Sequence, residues 1–146
     1  MGEWHELTGD ASDGAIDQNP RWTTPVACAF RDDYTKRWND PPSPSSAGLA
    51  FDSANLFLKL AQATLAQYGE LNRETIYRFG KAKLWTGEFT STSGVVMRKY
   101  QYTPETIPDP VVGRGYYMFP VIQYESGEGK VIWPPELKER ELRTGP

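Results

Sequence analysis

The segment that most constrains the fold is residues 45–68, SSAGLAFDSANLFLKLAQATLAQY. It has no proline, ends at Gly69 and suits a helix of more than five turns. With successive residues about 100° apart, only one narrow stripe of it is polar: Asp52, Asn55, Lys59 and Gln62. Leu49, Phe51, Phe57, Leu58, Leu60 and Leu65 leave the rest of the circumference apolar or small. Such a helix must be packed on nearly every side, and the chain has few other long apolar segments. The expectation is therefore that part of the fold lies outside this sequence, and that the chain by itself associates.

The remaining elements follow from local chemistry. Residues 1–22 read as loop, with turn residues at 8–14 and no apolar period; a long irregular opening fits a chain that starts inside a larger fold. Thr24 can cap a helix with Pro25 in its first position. Ala27, Phe30, Tyr34 and Trp38 share one face of that helix, and the run from Asn39 to Pro44 ends it. A shorter helix follows Asn72, with Ile76, Tyr77 and Phe79 on its apolar side and Gly80 weakening its end. Strands are expected at 95–102, 116–124 and 130–133, with a turn at 126–129. Residues 103–113 form a loop, and Pro134-Pro135 opens a short tail helix through Leu142. Helices come first and strands after, with no internal repeat and no heptad run, so the isolated chain is α+β.

The chain of 146 residues has a net charge of −3 and no concentration of lysine and arginine. Nucleic acid and anionic membrane are poor partners for it. No run is long enough to span a membrane, and residues 1–10 lack the basic and apolar stretches of a signal peptide. Cys28 is the only cysteine and His5 the only histidine, so no internal disulfide exists and a zinc site would need carboxylate partners. A Cys28–His5 catalytic pair is conceivable, but a structural thiol and a bystander histidine are the plainer reading. No pair of carboxylates stands out as an acid and base. The loop Thr90-Ser91-Thr92-Ser93-Gly94 invites a phosphate reading but lacks the lysine and spacing of a P-loop. Nothing calls for a cofactor or metal, and the expectation is that the chain is not an enzyme.

From about Phe30 on, the order of landmarks is similar to the C-terminal part of leucine-binding-type receptors of ABC importers. The matching pieces are Phe30, Tyr34 and Trp38; Pro41-Pro42; Phe51-Asp52-Ser53-Ala54; and Gly94-Val95-Val96. The closing pieces are Phe119-Pro120-Val121-Ile122-Gln123-Tyr124, the glycines 127 and 129, and Val131-Ile132-Trp133-Pro134-Pro135.

The resemblance implies a type I periplasmic-binding-protein fold, two α/β lobes that close on a ligand at a hinge. Residues 1–24 would be an irregular N-terminal segment and 25–146 the C-terminal part of that domain. One late hinge crossing would fall near 119–123, and most ligand contacts would lie upstream. It further implies a periplasmic or other extracytoplasmic location, with ABC importer membrane subunits as partners. The small-molecule ligand, such as an amino acid, amide or aromatic acid, would be held by the complete protein. Phe51 stands where the family often carries a cleft-facing tyrosine, which makes it the candidate ligand-binding residue; it lacks the hydroxyl. Asp52 beside it reads as a solvated or helix-start residue. The insertion at 102–114 has no counterpart. The other reading is a self-standing interaction module that oligomerises through its apolar helix.

Overall fold

The structure is a computed structural model that describes residues 2–144, with side chains from His5 onward. It is α+β: four α-helices and one small antiparallel sheet among the described residues. The chain forms two compact units, one from Met1–Arg21 with Phe119–Pro146, the other from Trp22–Met118.

The first unit holds the sheet. Helix α1 (Gly2–Thr8) and a 3-10 turn (Gly9–Ser12) precede strand β1 (Ile16–Gln18), so residues 2–18 are more ordered than the loop expected from their composition, while residues 19–22 are irregular as expected. Strand β1 pairs antiparallel with β2 (Val121–Glu125), Ile16 opposite Gln123, and β2 pairs with β3 (Glu128–Trp133). Strand β2 starts five residues later than expected, directly after buried Pro120, whose ring nitrogen has no hydrogen to donate to a ladder. The hairpin turn uses Ser126 (φ 49°) and Gly127 (φ 78°), the left-handed pair that matches strand twist. Asp13 Oδ1 accepts from the Ser126 amide at 2.7 Å and fixes the turn from outside. Ile122, Tyr124 and Val131 form the core here, with Ala15 and Leu137 against it.

The tail does not become the expected helix beyond a 3-10 turn at Pro135–Leu137. Its amides are taken by the sheet instead: Glu139 N donates to Val131 O at 2.8 Å. Arg143 N donates to Gln123 Oε1 at 2.9 Å.

The second unit is helical. Helix α2 (Pro25–Trp38) begins as its sequence predicts, with the Thr24 side chain accepting from Ala27 N at 3.1 Å. It ends at Asn39, left-handed at φ 53°, whose amide closes on Thr35 O. A π-helical turn (Pro44–Gly48), capped by Ser43, leads into α3 (Leu49–Tyr68). Gly48 is required there, since a Cβ would sit 2.4 Å from Val96 Cγ2 and 2.9 Å from the Trp22 ring. Helix α3 stops at Gly69 (φ 73°), and α4 (Arg73–Phe79) starts in a capping box formed by Asn72 and Thr75. Gly80 does not end that element; a π-helical turn carries it through Leu84.

The strand expected at 95–102 is absent, leaving one isolated bridge between Ser91 and Tyr100. Its amides go elsewhere, to a carboxylate on α3.

Candidate functional site

Helix α3 buries Asp52 of its polar stripe and exposes part of its apolar side, while Gln62 of the stripe stays exposed. Asp52 is 1% exposed, and Leu60, Ala61 and Thr64 are buried with it. Phe51, Phe57, Leu58 and Leu65, at 43–58% exposure, face outward. Asp52 does stand in the first turn of α3, as a helix-start residue, but it is buried rather than solvated.

Its carboxylate is the anchor of the loop that follows α4. Oδ1 accepts from Val95 N at 2.6 Å; Oδ2 accepts from Val96 N at 2.9 Å and Met97 N at 3.0 Å. Tyr100 Oη adds a fourth hydrogen bond at 3.1 Å. Charge-assisted bonds of this kind compensate for the burial of an ionised group. Gly94 makes room for the turn: a Cβ there would meet Met97 O at 2.3 Å and Asp52 Oδ2 at 2.8 Å.

Two turns further along α3, Lys59 Nζ donates to Ser91 Oγ at 3.3 Å and also to Ser93 Oγ. The loop 90–94 therefore receives the lysine that its sequence lacks, but spends it on its own serine hydroxyls. Asp52 and Lys59 of the polar stripe together clasp residues 91–97. Burial, reinforced by the Asp52 charge, pushes the hydroxyls of Tyr100 and Tyr117 well above the ordinary tyrosine range.

Phe51, the residue before Asp52, points to a neighbouring side of α3, its ring 4.7 Å from that of Phe30. The α2 face foreseen from the sequence continues from there, with Phe30 to Tyr34 at 6.1 Å and Tyr34 to Trp38 at 6.3 Å. These rings, with Ala47, Asp33 and Arg37, line an open groove of about 460 Å³. Its walls are mostly aromatic, so it suits an apolar side chain or ring.

A second cavity, about 560 Å³, lies within the first unit between Asp10, Asp13, Gln123, Glu125, Arg140 and Arg143. Here Glu125 pairs with both arginines. The Gln123 amide, 2% exposed, donates to Gly14 O and Arg143 O and accepts from Arg143 N. The polar groups close on one another and tie residues 140–143 to β2.

His5 and Cys28 belong to different units. His5 is half-buried rather than a solvated bystander: Nδ1 is 3.2 Å from Ser12 Oγ and its ring lies against Gly127. The Cys28 thiol donates to Trp22 O at 3.7 Å. Among the described residues no cluster of three His, Cys, Asp or Glu side chains is arranged to hold a metal ion. Among the described residues no helix is long and apolar enough to cross a membrane. No protein-family model, curated protein or solved structure matches the chain.

Proposed function

We propose that this chain is the C-terminal portion of an extracytoplasmic solute-binding receptor of the leucine-binding type. In that role it binds rather than catalyses. It helps a complete two-lobed protein capture an amino acid, amide or aromatic acid for an ABC importer.

The observation that carries the proposal is the path of the chain. It leaves the sheet-bearing unit after Arg21, builds the helical unit from Trp22 to Met118, and returns at Phe119. The resemblance sets a hinge crossing at that return, in Phe119-Pro120-Val121. A chain that crosses twice between compact units is what a hinged receptor requires.

The test is the coding sequence directly upstream of Met1. An in-frame signal peptide followed by a βαβ-rich stretch is the expected result, and an upstream frame without one would overturn the proposal. The protein encoded by the full frame is expected to give calorimetric heat with a solute from leucine, acetamide, urea and benzoate. Residues 1–146 alone are expected to give none.

A second reading, an interaction module, is favoured by the outward apolar face of α3. It is separated from the first by the same upstream sequence.

A further inference from the structure

Lys59 brings a positive charge to the loop at 90–94 and meets no negative one there. Its ammonium, half-buried on α3, donates to Ser91 Oγ at 3.3 Å and to Ser93 Oγ. Among the described residues no carboxylate forms an ion pair with it. Asp52, two turns earlier on the helix, does not serve as the counter-charge. Its oxygens are held by the amides of Val95, Val96 and Met97 and by the Tyr100 hydroxyl. A charge drawn out of bulk water calls for an opposite one.

The hydrogen inventory at this corner is one-sided. An ammonium carries three N–H donors and no acceptor, and the serines take two of them. Each serine oxygen that accepts from Lys59 keeps its own hydrogen to donate, and the two oxygens stand 3.5 Å apart. The backbone adds further donors. The consecutive amides of Thr92, Ser93 and Gly94 make no hydrogen bond within the chain.

The corner is also held in place. Ser91, 5% exposed, is fixed by its bridge to Tyr100: Ser91 N donates to Tyr100 O at 3.1 Å, and Tyr100 N to Ser91 O at 2.8 Å. Gly94 is followed at once by the three amides that Asp52 accepts. Segment 92–94 is therefore anchored at both ends while its own amides stay unspent. Ser93 is exposed, so a ligand can reach the cluster from solvent.

We infer that Lys59, Ser91 and Ser93, with the amides of 92–94, form a binding site for a phosphate group, either the free ion or the end group of an ester. Oxygens that only accept complement a cation ringed by donors, and successive backbone amides are a recurrent anion cradle. The loop whose composition invites a phosphate but lacks a lysine receives that lysine from α3. The site is half open and salt screens its charge, so binding in the millimolar range is expected. The inference stands apart from the receptor proposal, which is decided by upstream sequence and solute binding.

Proton–nitrogen correlation spectra of the whole chain, titrated with sodium phosphate at constant ionic strength, test the site residue by residue. The expected result is saturable shifts of the Thr92, Ser93 and Gly94 amides that sodium chloride does not produce. Lys59→Met should weaken binding about tenfold, through loss of a charged hydrogen-bond donor. Ser93→Ala should weaken it by a smaller factor. Lys83→Met, at a lysine already paired with Glu88, should leave it unchanged.

Melting temperatures establish that the variants fold. If Lys59→Met does not, Ser93→Ala carries the same test, at an exposed position that leaves the Asp52 contacts intact. Glycerol phosphate separates the two sources. Affinity equal to or above that of inorganic phosphate assigns the site to an ester's end group, and weaker binding assigns it to the free ion. Shifts that chloride reproduces, shifts that spare 92–94, or phosphate binding indifferent to both Lys59→Met and Ser93→Ala would each overturn the inference.

Discussion

Asp52→Ala is expected to lower the stability of the helical unit by about 3–5 kcal/mol, because several buried donors lose a charged acceptor together. The substitution leaves the amides of Val95, Val96 and Met97 and the Tyr100 hydroxyl without their acceptor in a site closed to water. Each unsatisfied group costs about 1–3 kcal/mol, reduced where the loop can open to solvent. Asp52→Asn should recover little, since its amide nitrogen would face donors. Asp32→Ala, at an exposed position of α2, should stay within about 0.5 kcal/mol of the parent. Urea unfolding followed by tryptophan fluorescence measures all three. A loss below about 1 kcal/mol for Asp52→Ala would mean that the loop is held by something else.

The second large effect is alkaline destabilisation. Tyr100 and Tyr117 are 5% and 4% exposed, and burial raises both hydroxyls above the usual range. In the unfolded chain these groups lose their protons near pH 10, while the folded chain still holds them. Their stabilising contribution is thus complete below about pH 10 and is lost as pH climbs towards the folded values. Each tyrosine removes up to about 1.4 kcal/mol per pH unit over that window. Unfolding midpoints at pH 9, 10 and 11 should fall steeply across the last step, and Tyr117→Phe should make the fall shallower. Phenolate absorbance offers the complementary reading: of eight tyrosines, these two should titrate only as the protein unfolds. A single transition for all of them near pH 10 in a chain that remains folded would contradict the assignment.

What the sequence discloses and what it hides divide along the distance between partners. Thr24, Pro25, Asn39, Gly69 and Asn72 act on amides within a few residues, and the ends of α2 and α3 and the start of α4 fall where they indicate. The expected strand at 95–102 fails because its amides find a carboxylate more than 40 positions earlier. Strand β1 was hidden for the same reason, since three residues pair with a segment over a hundred positions later. Helical periodicity groups Asp52 with Lys59 correctly but does not say whether a polar stripe faces water or a loop. The signal that could have decided it was the run of serines and threonines before Gly94, which needs external donors and acceptors to stay ordered. Phe51 is placed by the structure in an aromatic wall, and its bond-forming capacity is that of a ring alone.

The clasp on α3 also sets how this unit can move. Val95, Val96 and Met97 belong to no helix or sheet ladder, and irregular segments of this kind ordinarily open by small local fluctuations. Here the three amides share one acceptor, rooted in the first turn of a twenty-residue helix. Releasing any of them for long requires the helix terminus to yield or the loop to detach at every point together. Hydrogen exchange at these positions should then be as slow as in the middle of α3, with matching rates among the three. The loop and the helix behave as one cooperative unit, so a label placed on residues 95–97 would report the opening of a helix that lies elsewhere in the chain.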